Sequence, residues 1–276
     1  MYDIFQTDRL IDLWLNEDIG CCDLTAQLMI DEDAVGTFHM NAREPMIIAG
    51  IDVAARILTR YDPRLQVTCL VKDGDKAEKG KRILTVSGPA RSILTAERPA
   101  LNILQLLCGI ATETARYKQA LEGTHTRLID TRKTTPGLRM LEKHAVTCGG
   151  GLNHRLGLDN GVMLKDNHIA IAGSIVKAVE RARKNLPVLT KIEVECDRLD
   201  QVTEALEAGV DVIMLDNMSI ADMTTAVKMI DGRAKVEASG GIRIDTIREI
   251  ALTGVDYIST SKITQAAPIV DIGLDE

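Results

Sequence analysis

Aromatic residues are scarce in this chain: they make up 3% of its 276 residues and include a single tryptophan, Trp14. Proteins that bind single-stranded nucleic acids stack the bases on exposed aromatic rings. The chain also carries a formal net charge of −7 and has no lysine-rich tail. It therefore lacks the positive charge that a general binder of the phosphate backbone needs. The sequence predicts no nucleic-acid partner.

Long apolar runs and paired cysteines are also missing. No stretch approaches the roughly 18 apolar residues of a membrane span, and no export signal opens the sequence. The longest candidate, from Ala100 to Ala111, is interrupted by Asn102 and Gln105. The six cysteines are scattered without a Cys-x-x-Cys pair, which favours reduced thiols over disulfides or a zinc site. We expect a cytoplasmic protein without a membrane partner.

What remains is an ordinary globular composition, with 45% hydrophobic and 26% charged residues. Its length suggests one large domain or two smaller ones. The first 115 or so residues read as a mixed α/β domain. Thr7 can cap a first helix, alternating residues from Val35 to Ile51 predict strands, and Glu97 to Tyr117 predicts one or two long helices. The apolar face of Ala100–Ile110 is too extensive for a lone surface helix, so we expect it to dock on another subunit.

After Thr126 the pattern changes to short apolar strands alternating with amphipathic helices. Parallel strands need such a crossover element between them, so this half predicts a parallel sheet. Glu195 to Asp216 spans 21 residues, Asp216 to Ser239 spans 23, and Ser239 to Thr260 spans 21. This regular spacing of about 21 to 23 residues favours a closed or nearly closed α/β barrel over a doubly wound sheet. The predicted strands are Leu128–Thr131, Val162–Lys165, Ile192–Cys196, Val212–Asp216, Val236–Ser239 and Tyr257–Thr260.

Positive charge gathers at the start of this second half. Between Arg127 and His168 there are seven Lys and Arg against four Asp and Glu, opposite to the chain as a whole. The cations stand where strands end and loops begin, a placement that suits a small anionic ligand. Polar residues end every predicted strand, and that end of a barrel carries the active site. These residues are Asp130, Arg132, Lys165, Glu195, Asp216, Ser239 and Thr260.

The chemistry of these residues suggests distinct subsites. Ser239-Gly240-Gly241, followed by a helix predicted over Ile244–Leu252, offers backbone N–H groups and a helix N-terminus to a phosphate. Thr260-Ser261 offers similar groups. Glu195 and Asp216 either pair with basic side chains or hold Mg²⁺ together with substrate oxygens. Asn153-His154-Arg155 offers guanidinium and imidazole donors to a carboxylate.

Several longer motifs resemble the quinolinate phosphoribosyltransferase family from about Glu17 to Asp275. They are ERPALNILQLLCGIAT, DTRKTTPGLR, GGGLNHRLGLDNGVMLKDNH, EVEC, MLDN, ASGGI and GVDYIST. The resemblance implies an N-terminal α/β sandwich domain over residues 1–115 and an open α/β barrel over residues 116–263. The tail, 264–276, is expected to pack back on the first domain. The implied reaction joins quinolinate to phosphoribosyl pyrophosphate and gives nicotinate mononucleotide, pyrophosphate and CO₂ for NAD biosynthesis.

The same resemblance implies roles for individual residues. Arg132, His154 and Arg155 would clasp the two carboxylates of quinolinate, joined by Arg98 from the partner subunit of a homodimer. Glu195 and Asp216 would hold Mg²⁺ and the ribose hydroxyls. The remaining implied substrate contacts are Thr131, then Lys133 and Lys165 as neutralising cations, and Ser239, Gly240, Gly241, Thr260 and Ser261 around the 5-phosphate.

Three positions depart from the family pattern. Cys22 stands where glycine is usual, Thr260-Ser261-Lys262 replaces a glycine-containing turn, and Gln265 stands where histidine is common. These changes concern the phosphate contacts and leave the carboxylate clasp intact. Two alternatives stay open at this point: a relative of the same architecture with another anionic substrate, such as the molybdenum-transport-associated members, and a non-catalytic phosphosugar-binding protein.

Overall fold

A computed structural model describes residues 2–276 and divides them into two compact units. The first contains the residues up to Ala115 together with Thr135–Gly150 and Ala266–Glu276. The second contains Arg116–Thr134 and Gly151–Gln265. Within the described residues, no helix has both the length and the apolar character required to cross a membrane.

Helices and strands occur in irregular order in the first unit, whereas in the second unit they mostly alternate. In chain order they are α1 (Ile4–Ile19), α2 (Leu24–Met29), β1 (Val35–Ala42), β2 (Met46–Ile47), α3 (Ile51–Tyr61), β3 (Gln66–Cys69), β4 (Lys76–Ala77), β5 (Arg82–Pro89), α4 (Ala90–Ala120), β6 (Arg127–Ile129), α5 (Arg139–Cys148), β7 (Val162–Leu164), α6 (Asp166–Ala172), α7 (Ile175–Asn185), β8 (Ile192–Cys196), α8 (Leu199–Glu207), β9 (Val212–Asp216), α9 (Ile220–Ile230), β10 (Lys235–Ser239), α10 (Ile247–Ala251), β11 (Tyr257–Ser259) and β12 (Ile272–Asp275).

The first unit is built on a four-stranded antiparallel sheet in the order β12-β1-β5-β3. Strand β12 contributes the last strand of the chain to the edge of this sheet, where Met40 lies opposite Leu274. The side-chain amide of Gln105 in α4 donates to the carbonyl of Ile272 at 2.9 Å. The C-terminal residues are thus part of the first sheet and not a loose tail.

Helix α1 begins earlier than the sequence predicted. Asp3 is its N-cap, and the Asp3 carboxylate accepts the backbone N–H of Phe5 at 2.8 Å. Thr7 is buried one turn inside the helix, where its hydroxyl donates to the carbonyl of Asp3 at 2.7 Å. The prediction of Thr7 as the cap is therefore wrong, because an aspartate one turn upstream satisfies the free N–H groups first.

Helix α4 is a single helix of 31 residues that starts seven residues before the predicted position and carries Pro99 within it. Its apolar face is shielded from solvent, since Leu104, Leu107 and Cys108 are at most 1% exposed. The sequence suggested that this face was too apolar for a lone surface helix and would dock on another subunit. That reasoning is wrong, because the chain itself covers the face.

The segment Thr135–Gly150, which the sequence assigned to the barrel domain, belongs to the first unit. Its helix α5 is tied there by His144, whose Nε2 lies 2.6 Å from Asp73 Oδ2. Gly149 follows the helix and leaves no room for a side chain, since a Cβ would lie 2.3 Å from the carbonyl oxygen of Ala111. The predicted boundary missed this excursion because the contacts that cause it join residues far apart in sequence.

The second unit is a six-stranded parallel sheet in the order β6-β11-β10-β9-β8-β7. Consecutive strands from β7 to β11 are neighbours, and β6 pairs with β11. A doubly wound sheet would reverse direction partway, so this order excludes that alternative. The other side of β6 meets only a bridge from Ile129 to Leu152 among the described residues. The open α/β barrel is thus confirmed, and a fully closed one is wrong.

Alternate residues of each barrel strand point to opposite faces. On β8, Ile192, Val194 and Cys196 are fully buried on one face. Glu193 and Glu195 lie on the other face, toward the barrel interior. This alternation is what brings acidic side chains from strands of otherwise apolar sequence into the middle of the barrel.

Candidate active site

The second unit encloses a cavity of about 580 Å³ at the carboxyl ends of its strands, here called the substrate cavity. It gathers eleven of the fourteen site residues that the sequence singled out. Those lining it are Thr131, Arg132, Lys133, His154, Arg155, Lys165, Glu195, Asp216, Ser239, Gly240 and Gly241.

Two guanidinium groups define one side of the substrate cavity. Arg155 is partly buried, and its Nη1 donates to the carbonyl of Gly161 at 3.2 Å. Burial lowers the pKa of Arg155, and the positive charge of Arg132 lowers it further. Two cations that repel each other at the wall of a cavity are stabilised by a bound anion. This pair is therefore suited to hold a carboxylate.

A fully buried carboxylate fixes the loop that carries Arg155. Asp130, at the end of β6, accepts the side-chain amide of Asn153 at 2.7 Å and the backbone N–H of His154 at 2.8 Å. The sequence placed Asp130 at a strand end but gave it no role. The structure shows that it anchors the Asn153-His154-Arg155 segment from below.

His154 lines the substrate cavity with both ring nitrogens in protein contacts. Its Nε2 lies 3.0 Å from Glu193 Oε2 and 3.4 Å from Glu237 Oε2, and its Nδ1 accepts the backbone N–H of Arg155 at 2.7 Å. The expected contact between this imidazole and a ligand carboxylate stays a prediction. Sequence reasoning missed Glu193 and Glu237, although each lies two residues before a residue it did select.

The acidic side of the substrate cavity comes from neighbouring strands. The Glu195 carboxylate accepts a hydrogen bond from Lys165 Nζ and forms an ion pair with it. Asp216, at the end of β9, accepts the side-chain amide of Asn217 at 2.9 Å. Asn217 has a positive φ of 54° and lies directly over Gly240, where a Cβ would come within 2.3 Å of its side-chain oxygen. The φ of Gly240, 88°, favours glycine here, and any side chain at this position would also displace the amide of Asn217.

A smaller cavity of about 290 Å³ adjoins this glycine turn and also includes Thr260 and Ser261. Gly240 and Gly241 both have left-handed φ values, 88° and 62°. Successive residues of this kind can turn backbone N–H groups toward an anion. The predicted helix N-terminus is absent here, since α10 begins only at Ile247. The turn Thr260-Ser261-Lys262, which departs from the family pattern, is stabilised by an internal hydrogen bond. The backbone N–H of Lys262 donates to Thr260 Oγ1 at 3.2 Å.

Arg98 lies in the first unit, on α4, with a side chain that is 53% exposed. Its guanidinium is 3.9 Å from the carboxylate of Glu97, a weak contact for a surface pair. It is thus available for an anion or an acidic group.

A parallel α/β barrel with paired arginines, facing carboxylates and a glycine turn at its strand ends defines an enzyme class that handles small phosphorylated and carboxylated substrates. The chain belongs to the quinolinate phosphoribosyl transferase family. The N-terminal domain of that family matches residues 23–108, and its C-terminal domain matches residues 110–275.

Individual relatives match over almost the whole chain. A probable nicotinate-nucleotide pyrophosphorylase (carboxylating) of Synechocystis sp. is 44% identical, over 97% of this chain and 91% of its own. A second probable nicotinate-nucleotide pyrophosphorylase (carboxylating), from Bacillus subtilis, is 41% identical over 98% of this chain and 93% of its own length. The solved structure of the nicotinate-nucleotide pyrophosphorylase of Francisella tularensis superposes with a TM-score of 0.96 at 42% identity, covering 100% of this chain and 97% of that one.

Proposed function

We propose that this protein transfers the 5-phosphoribosyl group of phosphoribosyl pyrophosphate to quinolinate and decarboxylates the product. Nicotinate mononucleotide, pyrophosphate and CO₂ result, as a step of NAD biosynthesis; the enzyme is a pentosyltransferase, EC 2.4.2.19. The observation that carries the proposal is one cavity lined both by two arginines and by two carboxylates of adjacent strands. A dicarboxylate and a phosphorylated sugar need those two kinds of side chain.

The dicarboxylate would lie against Arg132 and Arg155. Each charge-assisted hydrogen bond to a carboxylate stabilises binding by roughly 1.5–3 kcal/mol. Lys133 and Thr131 line the same side and would complete the clasp. The anchoring of the Arg155 loop by Asp130 means that the guanidinium is oriented before the ligand arrives.

The ribose and pyrophosphate would lie toward Lys165, Glu195 and Asp216. Mg²⁺ is commonly held by one or two carboxylates plus substrate phosphates, and Glu195 with Asp216 provides such a pair on neighbouring strands. When bound, the ion would neutralise charge on the departing pyrophosphate. The carboxylates themselves would stabilise the cationic ribose that forms as the bond to pyrophosphate breaks. The 5-phosphate would lie at Ser239, Gly240, Gly241, Thr260 and Ser261.

We further propose a homodimer in which Arg98 completes the site of the partner subunit. The burial of the apolar face of α4 removes one reason for expecting a dimer. Support comes instead from exposed apolar side chains of the first unit: Phe5 is 78% exposed on α1, and Leu28 and Met29 are 79% and 78% exposed on α2. Apolar surface of this kind is typical of an interaction site. The cytoplasmic location stays a prediction.

The decisive experiment supplies the purified protein with quinolinate, phosphoribosyl pyrophosphate and Mg²⁺. Nicotinate mononucleotide, pyrophosphate and CO₂ should appear in equal amounts. Nicotinate in place of quinolinate is the matched control, because it lacks the second carboxylate that the two arginines select. Equal or faster use of nicotinate, or binding of both substrates without product, would refute the proposed function.

A further inference from the structure

The barrel holds a second cavity beneath the first. It has a volume of about 300 Å³ and is here called the amino-end cavity, because Val162, Val212 and Tyr257 in its wall are the first residues of their strands. His154 and Glu237 line both this cavity and the substrate cavity. These two side chains therefore lie between a place for substrate and a separate cavity at the opposite end of the strands.

Glu237, Glu193 and His154 form a buried cluster with spare hydrogen-bonding capacity. The two glutamates are 2% and 7% exposed, and the Oε1 atom of each has no hydrogen-bond partner among residues 2–276. A buried carboxylate without full hydrogen bonding favours its neutral, protonated form. Burial accordingly raises the pKa of Glu237 to about 7, with the charge of Glu193 adding to the rise and His154 opposing it.

The hydrogen bonds show where protons can reside in this cluster. Because Nδ1 accepts the N–H of Arg155, the ring carries a single proton, on Nε2, which faces both glutamates. The proton that can exchange is therefore the one on the Glu237 carboxyl group. The cluster thus holds one exchangeable proton near neutral pH.

The reaction requires such a proton. When CO₂ leaves, the bond between the ring carbon and the carboxylate breaks, and its electron pair remains on the ring carbon. We infer, resting on the proposed function, that the Glu237–His154 pair donates its exchangeable proton to that carbon. A new C–H bond forms, CO₂ departs, and the pair regains one proton from solvent through the amino-end cavity.

Other charged groups around the substrate cavity are less suited to this step. Arg132 and Arg155 do not give up protons at physiological pH. Lys165 is held by Glu195, and Asp130 already accepts two hydrogen bonds as a buried anchor. Lys133 is assigned to substrate charge. Glu193, the third member of the cluster, lines only the amino-end cavity and holds the imidazole in place.

The test is the substitution Glu237→Gln, which keeps size and an acceptor for His154 Nε2 but cannot carry a proton. Formation of nicotinate mononucleotide at saturating substrates should fall about a hundredfold, the usual contribution of a general acid. The Kd of quinolinate, measured by calorimetry, should change less than about twofold. Pyrophosphate should be released faster than the nucleotide appears, because transfer precedes the blocked step.

Two further variants keep the result interpretable. Glu142→Gln removes a glutamate of the first unit that is 1% exposed and also has one oxygen without a partner in residues 2–276, so it controls for the loss of a buried charge. Its turnover should match the wild type. Glu237→Asp keeps a carboxyl group on a side chain that is shorter by one methylene. Its turnover should be higher than that of Glu237→Gln, even if both variants are less stable than the wild type.

Unchanged turnover in Glu237→Gln would overturn the inference. A loss of quinolinate affinity without a loss of turnover would overturn it too, because Glu237 would then be a positioning residue only. Glu237→Asp no faster than Glu237→Gln would overturn it as well. The wild-type reaction separates the two claims. A wild type that makes no nicotinate mononucleotide contradicts the proposed function, whereas an active wild type with an equally active Glu237→Gln contradicts the proton donor alone.

Discussion

At the scale of single residues, the site depends on charged side chains whose partners are supplied by other strands. Arg155 is the clearest case, because its loop is held by Asp130 and its guanidinium by the carbonyl of Gly161. Orientation in advance means that little side-chain entropy is lost when a carboxylate binds. Removing the guanidinium should therefore lose the whole binding free energy of its charge-assisted hydrogen bond to the ligand carboxylate.

We expect Arg155→Ala to weaken quinolinate binding at least tenfold, since one charge-assisted hydrogen bond contributes roughly 1.5–3 kcal/mol. Isothermal titration calorimetry measures the change. Arg198→Ala is the matched control, because Arg198 is 59% exposed, pairs with Asp197 and Asp200, and belongs to none of the described cavities. Equal affinity in wild type and Arg155→Ala would remove Arg155 from the clasp.

Glu195→Gln should retain the fold and quinolinate binding but lose nearly all turnover. The amide removes the negative charge that Mg²⁺ and the cationic ribose require, and it also frees Lys165 from its ion pair. Steady-state assays across a range of Mg²⁺ concentrations test this, with the exposed Glu207→Gln of α8 as control. Normal turnover at saturating Mg²⁺ would exclude the assigned role.

Much of the site was predictable residue by residue, because polar side chains at strand ends stand out against apolar strands. Glu193 and Glu237 were missed because they lie inside strands, where the neighbours Val194 and Ala238 suggested plain core. Alternation alone would have found them, since each shares a face with the selected residue two positions later. The proton arrangement around His154 could not be predicted, because it depends on three strands and loops meeting in space.

At the scale of elements, the barrel strands followed their pattern closely: β8 and β9 have the predicted bounds. Short apolar runs bounded by polar residues leave little freedom there. Helix starts were less predictable. The predicted start of α10, Ile244, lies three residues before the observed one, Ile247, so the phosphate turn is built from glycine backbone and not from a helix end. The place of α5 in the first unit depended on distant packing that a local pattern does not record.

The packing of α5 on α4 gives a prediction at this scale. Gly149 has an ordinary φ of −74°, so replacing it with alanine adds no backbone strain. The new methyl group would nevertheless overlap the Ala111 carbonyl and Thr114. Gly149→Ala should destabilise the protein by about 1–3 kcal/mol, the usual cost of overpacking. Chemical denaturation measures it.

Gly161→Ala serves as the control for this change, because the nearest atom to its new Cβ is 4.0 Å away. Its unfolding midpoint should stay close to that of the wild type. A Gly149→Ala midpoint equal to that of Gly161→Ala would show that α5 and α4 adjust without cost, and that the three consecutive glycines serve the loop's flexibility instead.

At the scale of the whole molecule, the proposed dimer predicts complementation between inactive variants. Arg98→Ala and Glu195→Gln homodimers should both be nearly inactive. A mixed dimer has one site with both defects and one with neither. After subunit exchange at equal amounts, half of the dimers are mixed and each has one intact site, so activity should approach about a quarter of the wild-type level.

The control mixture combines Glu195→Gln with Arg155→Ala, two defects that lie in the same unit of the chain. Every site in those mixed dimers carries one defect, so no activity should return. No recovery in the Arg98 mixture after confirmed exchange would mean that Arg98 acts within its own chain. Recovery in the control would mean that Glu195 and Arg155 of one chain serve different sites.

The position of β12 has a consequence for the order in which the protein is made. Strand β1 is translated before the barrel, but its outer partner, β12, is translated after all the barrel strands. All barrel strands are available before that partner exists, so the barrel can be complete while the first sheet still has an open edge. Unpaired strand edges attract other chains. We therefore expect aggregation during synthesis in the interval before β12 is made, and slow translation between β11 and β12 would extend that interval.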